Sequence, residues 1–295
     1  MLAVVVFYHP GSEHHVTSNM LSAGIMPWNS KEHHRKFIET VGDYQTPNIP
    51  SPQTAKLRFW GEWEPDSYVK RLSGSCPKYL HTPFLKRPLP KVPKRQPINC
   101  HTIPGCGVKK CTNTDPFVFG NSFYYSCCQQ ITPKGNQSSM CFLDSGSIIL
   151  FGSRIKGQFA LDTVFVVGDK RKYTPSNILT NLKGFVPAVY PNIMQMTGNQ
   201  QLVCYKGATP SNPVNGMYSF VPCRISNGSN SGFDRPVLSV SDFQSCNLGH
   251  ILSAGNQNQG KKITTINIQE AQQIWSCISN AIQSQNYVKG FNFKY

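Results

Sequence analysis

A histidine cluster and a pair of glutamates are the side chains of this sequence best suited to moving protons. The string Tyr8-His9-Pro10-Gly11-Ser12-Glu13-His14-His15 follows an apolar β-branched run, so it sits where a strand ends. Seven of the eight histidines lie in the first 101 residues, which concentrates near-neutral titration and metal-capable nitrogens in the N-terminal third. The plain alternative is a polar turn with exposed histidines. In Phe59-Trp60-Gly61-Glu62-Trp63-Glu64-Pro65, Glu62 and Glu64 are two residues apart and point the same way on an extended chain, with the tryptophans flanking them. A carboxyl beside a like charge and apolar walls is raised in pKa, which makes a general acid or base. Otherwise Trp60 and Trp63 fill the core and the glutamates pair with Arg58 or Lys56.

A third string, Asn113-Thr114-Asp115-Pro116-Phe117-Val118-Phe119-Gly120, leads into Phe123-Tyr124-Tyr125 and Gln129-Gln130. Aromatic faces stack a base or a nicotinamide ring, and amides read base edges. Successive strand residues face opposite ways, so one of Tyr124 and Tyr125 is available to a ligand; an aromatic stripe is also ordinary core. Asp162, inside the apolar stretch Phe159 to Val167, requires hydrogen bonds or a cation and reads as structural glue. Cys76, Cys100, His101, Cys106 and Cys111 are zinc-ligand types, but without a close Cys-x-x-Cys knuckle free thiols and no metal are expected. Neither a Walker loop nor a dinucleotide glycine fingerprint is present, which argues against ATP hydrolysis and Rossmann chemistry.

The charge points to a partner. The chain carries +15 from 29 Lys and Arg against 14 Asp and Glu, so the bias comes from missing acids rather than from lysine tails. Such a field attracts polyanions, of which nucleic acid is the most abundant in a cell; an acidic protein partner is the alternative. Between Ser67 and Thr114 there are ten Lys or Arg and no acid, together with seven prolines. That composition predicts an irregular basic arm or lid, with Lys86, Arg87, Lys91, Lys94, Arg95, Lys109 and Lys110 contacting RNA or DNA. Eleven scattered cysteines, an opening without the features of a secretory signal and no apolar run near 20 residues predict reduced thiols, a cytoplasmic setting and no membrane span.

The elements that must position these groups follow from periodicity. Strands are expected at Leu2 to Tyr8, Lys56 to Trp63, Phe117 to Cys128, Ser147 to Gly152, Phe159 to Val167, Gln201 to Tyr205, Gly216 to Pro222 and Lys262 to Ile266. Short glycine-containing connections suggest antiparallel pairing. A helix is allowed over Asn29 to Val41, capped by Asn29 or Ser30, and another over Ile268 to Gln285, where Ile268, Ala271, Ile274, Trp275, Ile278 and Ile282 share a face. The expectation is one α+β domain over 1–295, a mainly antiparallel core with an amphipathic C-terminal helix, and the 67–114 arm inserted in it.

TNTDPFVFG, the tyrosine strand, GSIILFGS and LDTVFVV, spread from Asn113 to Val167, resemble bacterial proteins of unknown function that accompany nucleotide modification and phage defence. The glycine-turn strand pair there is similar to PUA-like and EVE-like nucleic-acid readers. Tyr8-His9 before Gly11-Ser12 resembles the histidine motif with which ADP-ribosyltransferases hold the nicotinamide ribose, and Glu62-x-Glu64 is similar to their paired acids. That resemblance implies NAD as cofactor, held by Tyr8, His9, Ser12, Tyr124 and Tyr125, with Glu62, Glu64 and His9 catalytic. It further implies a toxin or anti-phage effector that modifies RNA or DNA and is partnered by an acidic antitoxin. A non-catalytic reader, and a metal-dependent nuclease using His9, His14 and the glutamates, are the alternatives.

Overall fold

The computed structural model describes residues 1–28, 34–47, 49–86, 111–112, 114–196, 199–244, 249–252 and 260–295. Its strands form two mixed, largely antiparallel sheets with few helices, the α+β class that the pattern predicts. The first sheet runs β15 (Gly260–Thr265), β1 (Ala3–Tyr8), β9 (Ile148–Ile155), β10 (Gln158–Tyr173), β12 (Leu202–Gly207) and β8 (Tyr124–Tyr125), with β14 (Val237–Leu238) paired to β10. The second runs β16 (Val288–Phe291), β13 (Val221–Ile225), β4 (Ile49–Gly61), β3 (Lys36–Thr46), β6 (Tyr79–Pro83), β5 (Ser67–Arg71) and β2 (Ile25–Met26). A separate pair joins β7 (Cys111–Thr112) to β11 (Gln195–Met196).

The opening run is apolar throughout because β1 is a central strand. It pairs parallel to β9 and antiparallel to β15, and all six of its residues are buried. The β9–β10 hairpin turns on Lys156 (φ 48°) and Gly157 (φ 82°), a two-residue loop with both φ values positive, as the right-handed strand twist favours. Beyond the turn, Leu161 opposes Gly152 but Thr163 opposes Phe151, so Asp162 is an extra residue in the ladder. Such a bulge re-aims a side chain.

The second sheet is buried on both faces where it nears the first. Leu57, Phe59 and Ile38 belong to the large core shared with β1, β9 and β10, whereas Phe37 and Trp60 pack with Leu72 and Leu80 on the opposite face. The helix Ile268–Ser284 matches its sequence pattern closely. Asn267 and Glu270 form a capping box, Ala271, Ile274, Ile278 and Ile282 are buried, and Trp275 Nε1 donates to the Tyr218 carbonyl at 2.8 Å.

Five sequence expectations are corrected. The helix expected over 29–41 is strand β3 from Lys36 onward, while residues 29–33 lie outside the described residues. Phe37 and Ile38 face two different cores, which imitates a helical stripe. The basic arm begins later than Ser67, since β5 and β6 belong to the second sheet and β6 lies between β3 and β5. Phe117 to Cys128 forms a two-residue strand at Tyr124–Tyr125 and a tight turn through Gly120 (φ 83°), not one long strand. The strand expected at Gly216 to Pro222 is Val221–Ile225. Cys76, Cys127, Cys128, Cys141, Cys204 and Cys223 form no disulfide, as expected of reduced thiols, but Cys277 is disulfide-bonded, which corrects that expectation there. No helix among the described residues is long and apolar enough to cross a membrane.

Candidate active site

The bulge at Asp162, the end of β1 and the entry to β3 meet at one point between the two sheets. The His9 N–H donates to the Gly152 carbonyl at 2.8 Å, so the histidine stays in line with β1 beside the glycine that faces the bulge. A Cβ on Gly152 would come within 2.3 Å of the Ala160 carbonyl and 2.5 Å of the Phe159 ring, which explains the glycine. The loop after β1 returns to the second sheet, where Arg35 N–H donates to the Ser12 carbonyl at 3.0 Å and His14 N–H to the Arg35 carbonyl at 2.8 Å. Arg35 is thereby fixed just ahead of β3.

Around that point the chain buries an unusual number of charges. Arg35 is 1% exposed; its Nη1 lies 2.7 Å from Glu62 Oε1 and its Nε 3.1 Å from Asp162 Oδ2. Arg235 approaches Asp162 from the other side, with Nε 3.6 Å from Oδ1. Its Nη1 donates to Ser153 Oγ at 2.7 Å, its Nη2 donates to the Gly11 carbonyl, and its guanidinium stands 4.8 Å over the Trp60 ring. Burial pushes the Asp162 carboxyl up, and the two arginines pull it back. Burial likewise draws the Arg235 pKa down, with Asp162 opposing.

His9 completes the group. Its Nδ1 is 3.4 Å from Glu62 Oε1, and its ring is held edge-on to Phe7, with centroids 4.6 Å apart, and tilted against Phe151. Glu62 Oε2 accepts from the Asp115 N–H at 3.1 Å. Lys36 Nζ donates to the Trp63 carbonyl; burial lowers its pKa, with Glu64 and Glu62 acting in the opposite direction. His81 is fully buried, with Nδ1 3.1 Å from Ser67 Oγ. Its pKa is held well below the usual value by burial, then by Lys36 and His14.

The structure thus brings together His9, Glu62 and Asp162 from the sequence reading, and adds Arg35, Arg235, Lys36 and His81, which it missed. Asp162 belongs to the charged group and joins the sheets rather than serving one hairpin. Glu62 pairs with Arg35, whereas Arg58 pairs with Glu39 at 2.6 Å. Glu64 is fully buried and its N–H donates to Thr114 Oγ1 at 3.1 Å. Ser12 lies outside the group, with its Oγ 2.5 Å from His34 Nδ1. Tyr8 packs edge-on against Phe159. Tyr124 and Tyr125 both belong to the core: Tyr125 is 0% exposed, stacks on Tyr205 and donates to the Cys128 carbonyl at 2.5 Å. Neither offers a free face for nicotinamide or a base. Lys86 is exposed, 3.3 Å from Asp66; Arg87, Lys91, Lys94, Arg95, Lys109 and Lys110 lie outside the described residues.

Among the described residues one group has metal-ligand chemistry: Asp115, Cys127 and Cys128, whose donor atoms lie within 4.8 Å of one another. Comparison of the chain with protein-family models, curated proteins and solved structures finds no match.

Proposed function

We propose that this protein is an enzyme that modifies nucleic acid, with proton transfer carried by the His9–Glu62 pair. The observation that carries the reading is the buried group itself: one histidine and two carboxylates set around Arg35 at a strand bulge. Burying ionised groups is costly, and folds accumulate such groups chiefly where chemistry requires tuned acids and bases. His9 supplies an imidazole for proton transfer, and Glu62, fixed by Arg35 and the Asp115 N–H, orients it.

Arg35 Nη2 is buried and makes no hydrogen bond among the described residues, a donor suited to a phosphate or pyrophosphate oxygen. A net charge of +15 favours a polyanionic acceptor in a cytoplasmic setting. The particular reaction that fits is ADP-ribosyl transfer from NAD. The Glu62 carboxylate would oppose the positive charge that develops on the ribose as nicotinamide leaves with the electrons of the glycosidic bond, and the bond from ribose to the acceptor would form as the acceptor's proton passes to His9. Tyr124 and Tyr125 are buried, out of reach of a nicotinamide as much as of a base, so the NAD reading is supported by the charged group and not by these rings.

Labelled NAD incubated with the protein and total RNA or DNA tests the reading. Label is expected on one nucleic acid, with a loss of about 100-fold or more in Glu62→Gln and in His9→Ala. Absence of transfer to either by folded protein sinks the NAD reaction, and absence of salt-sensitive nucleic-acid binding sinks the wider reading.

A further inference from the structure

We propose that Cys127, Cys128 and Asp115 form a binding site for one thiophilic divalent metal ion of the zinc class. The proposal stands apart from the reading of the His9–Glu62 pair and does not depend on it.

The donor set is two sulfurs and one carboxylate oxygen, a combination that suits zinc and excludes the hard cations that take oxygen alone. The spacing fits as well. Two thiolates about 2.3 Å from a tetrahedral ion are roughly 3.8 Å apart, and Cys127 Sγ lies 3.8 Å from Cys128 Sγ. The carboxylate is already oriented: Asp115 Oδ1 accepts from Ser126 N–H at 2.9 Å, and Oδ2 from Cys127 N–H at 3.0 Å and Cys128 N–H at 2.9 Å. An ionised carboxylate has about four acceptor positions. Three amides therefore leave one position, which the Cys127 thiol occupies and would yield to the metal, and the same three bonds hold the cysteine backbone around it.

The site is half-sheltered. Cys127 and Cys128 are neither fully buried nor exposed, and Asp115 is 0% exposed. The Cys128 thiol is held protonated, first by its hydrogen bond with Cys127, then by burial and the negative charges of Asp115 and Glu62. Metal binding would replace the two thiol protons, which pass to solvent, with two sulfur–metal bonds; no oxidant or reductant takes part. Three protein ligands leave a fourth tetrahedral position for solvent. The Asp115 N–H that donates to Glu62 Oε2 connects this loop to the charged group beside His9.

The test uses the full chain, reduced and stripped with chelator, then titrated with cadmium(II) while the thiolate-to-metal charge-transfer band is followed. Bound cadmium is counted after desalting. Because the chain has eleven cysteines, the decisive quantity is the difference between the wild type and Cys127→Ser or Cys128→Ser. Each variant is expected to lose one bound ion or to bind it about tenfold or more weakly. Both leave the amide bonds to Asp115 in place, so they decide the matter even if Asp115→Asn fails to fold. Equal stoichiometry and affinity in the wild type and both serine variants would overturn the site and leave the 3.8 Å contact as a thiol–thiol hydrogen bond.

Discussion

Asp162 Oδ2 lies 3.1 Å from Arg35 Nε, an ion pair that joins the bulge of the first sheet to the entry strand of the second. The two residues are far apart in sequence and both are almost wholly buried. Each also has a second partner, Glu62 for Arg35 and Arg235 for Asp162, so removing one member leaves the other only half-compensated, a loss of up to about 3–5 kcal/mol. Arg35→Met and Asp162→Leu should each lower urea-unfolding stability by up to that amount. The double variant should recover part of the loss, with a coupling of about 0.5–3 kcal/mol. Strict additivity would show that the pair does not join the sheets.

Gly152 controls the same junction from the other side. A Cβ there meets a carbonyl oxygen at 2.3 Å, and backbone cannot swing aside as a flexible side chain can. Gly152→Ala should therefore part β9 from β10, move the carbonyl that holds His9 N–H, and cost about 1–3 kcal/mol. Gly157→Ala, at a turn with open space around it, makes the contrasting control for strain from positive φ alone. Thermal unfolding of the two variants separates the effects, and the larger loss of transfer activity is expected for Gly152→Ala.

Much of this arrangement could be read from local sequence, and the part that could not has physical causes. Strand β1, the β9–β10 hairpin and the helix Ile268–Ser284 are each specified by their own periodicity or turn chemistry. His9 and Glu62 stand out because they follow apolar strand residues. Arg35 and Lys36 gave no such signal, since β3 is covered on both faces at its start and shows no alternation there. Arg235 sits in an irregular segment whose position depends on β14 pairing with β10, a long-range contact. The bulge that turns Asp162 towards the arginines is a property of strand register, which the side chains around it do not encode.

His81 should make the fold sensitive to acid. Its ring is buried, Nε2 makes no hydrogen bond among the described residues, and its folded pKa lies well below the ordinary 6.5 because of burial, then Lys36 and His14. Below 6.5 the unfolded chain takes up a proton that the native ring refuses. Stability from this group is thus complete above that pH and falls as pH drops towards the folded value, by up to about 1.4 kcal/mol per pH unit. His81→Asn, which keeps an acceptor for Ser67, should flatten the slope measured by urea unfolding between roughly pH 6.5 and 4.5. Identical slopes would mean that His81 does not titrate this way.

The tyrosines of β8 distinguish a folding role from a ligand-binding one. Tyr125 packs against Phe7, Phe151 and Tyr205, and its hydroxyl donates to the Cys128 carbonyl. Tyr125→Phe keeps the ring and loses one hydrogen bond, so it should cost about 1 kcal/mol. Tyr125→Ala opens a cavity in a well-packed core and should cost about 3–5 kcal/mol. Neither change touches an exposed charge. Nucleic-acid affinity and its salt dependence, measured by fluorescence anisotropy on folded Tyr125→Phe protein, should therefore match the wild type, because phosphate contacts set both. A selective loss of affinity in this variant, without loss of stability, would instead show that the Tyr125 hydroxyl contacts the nucleic acid.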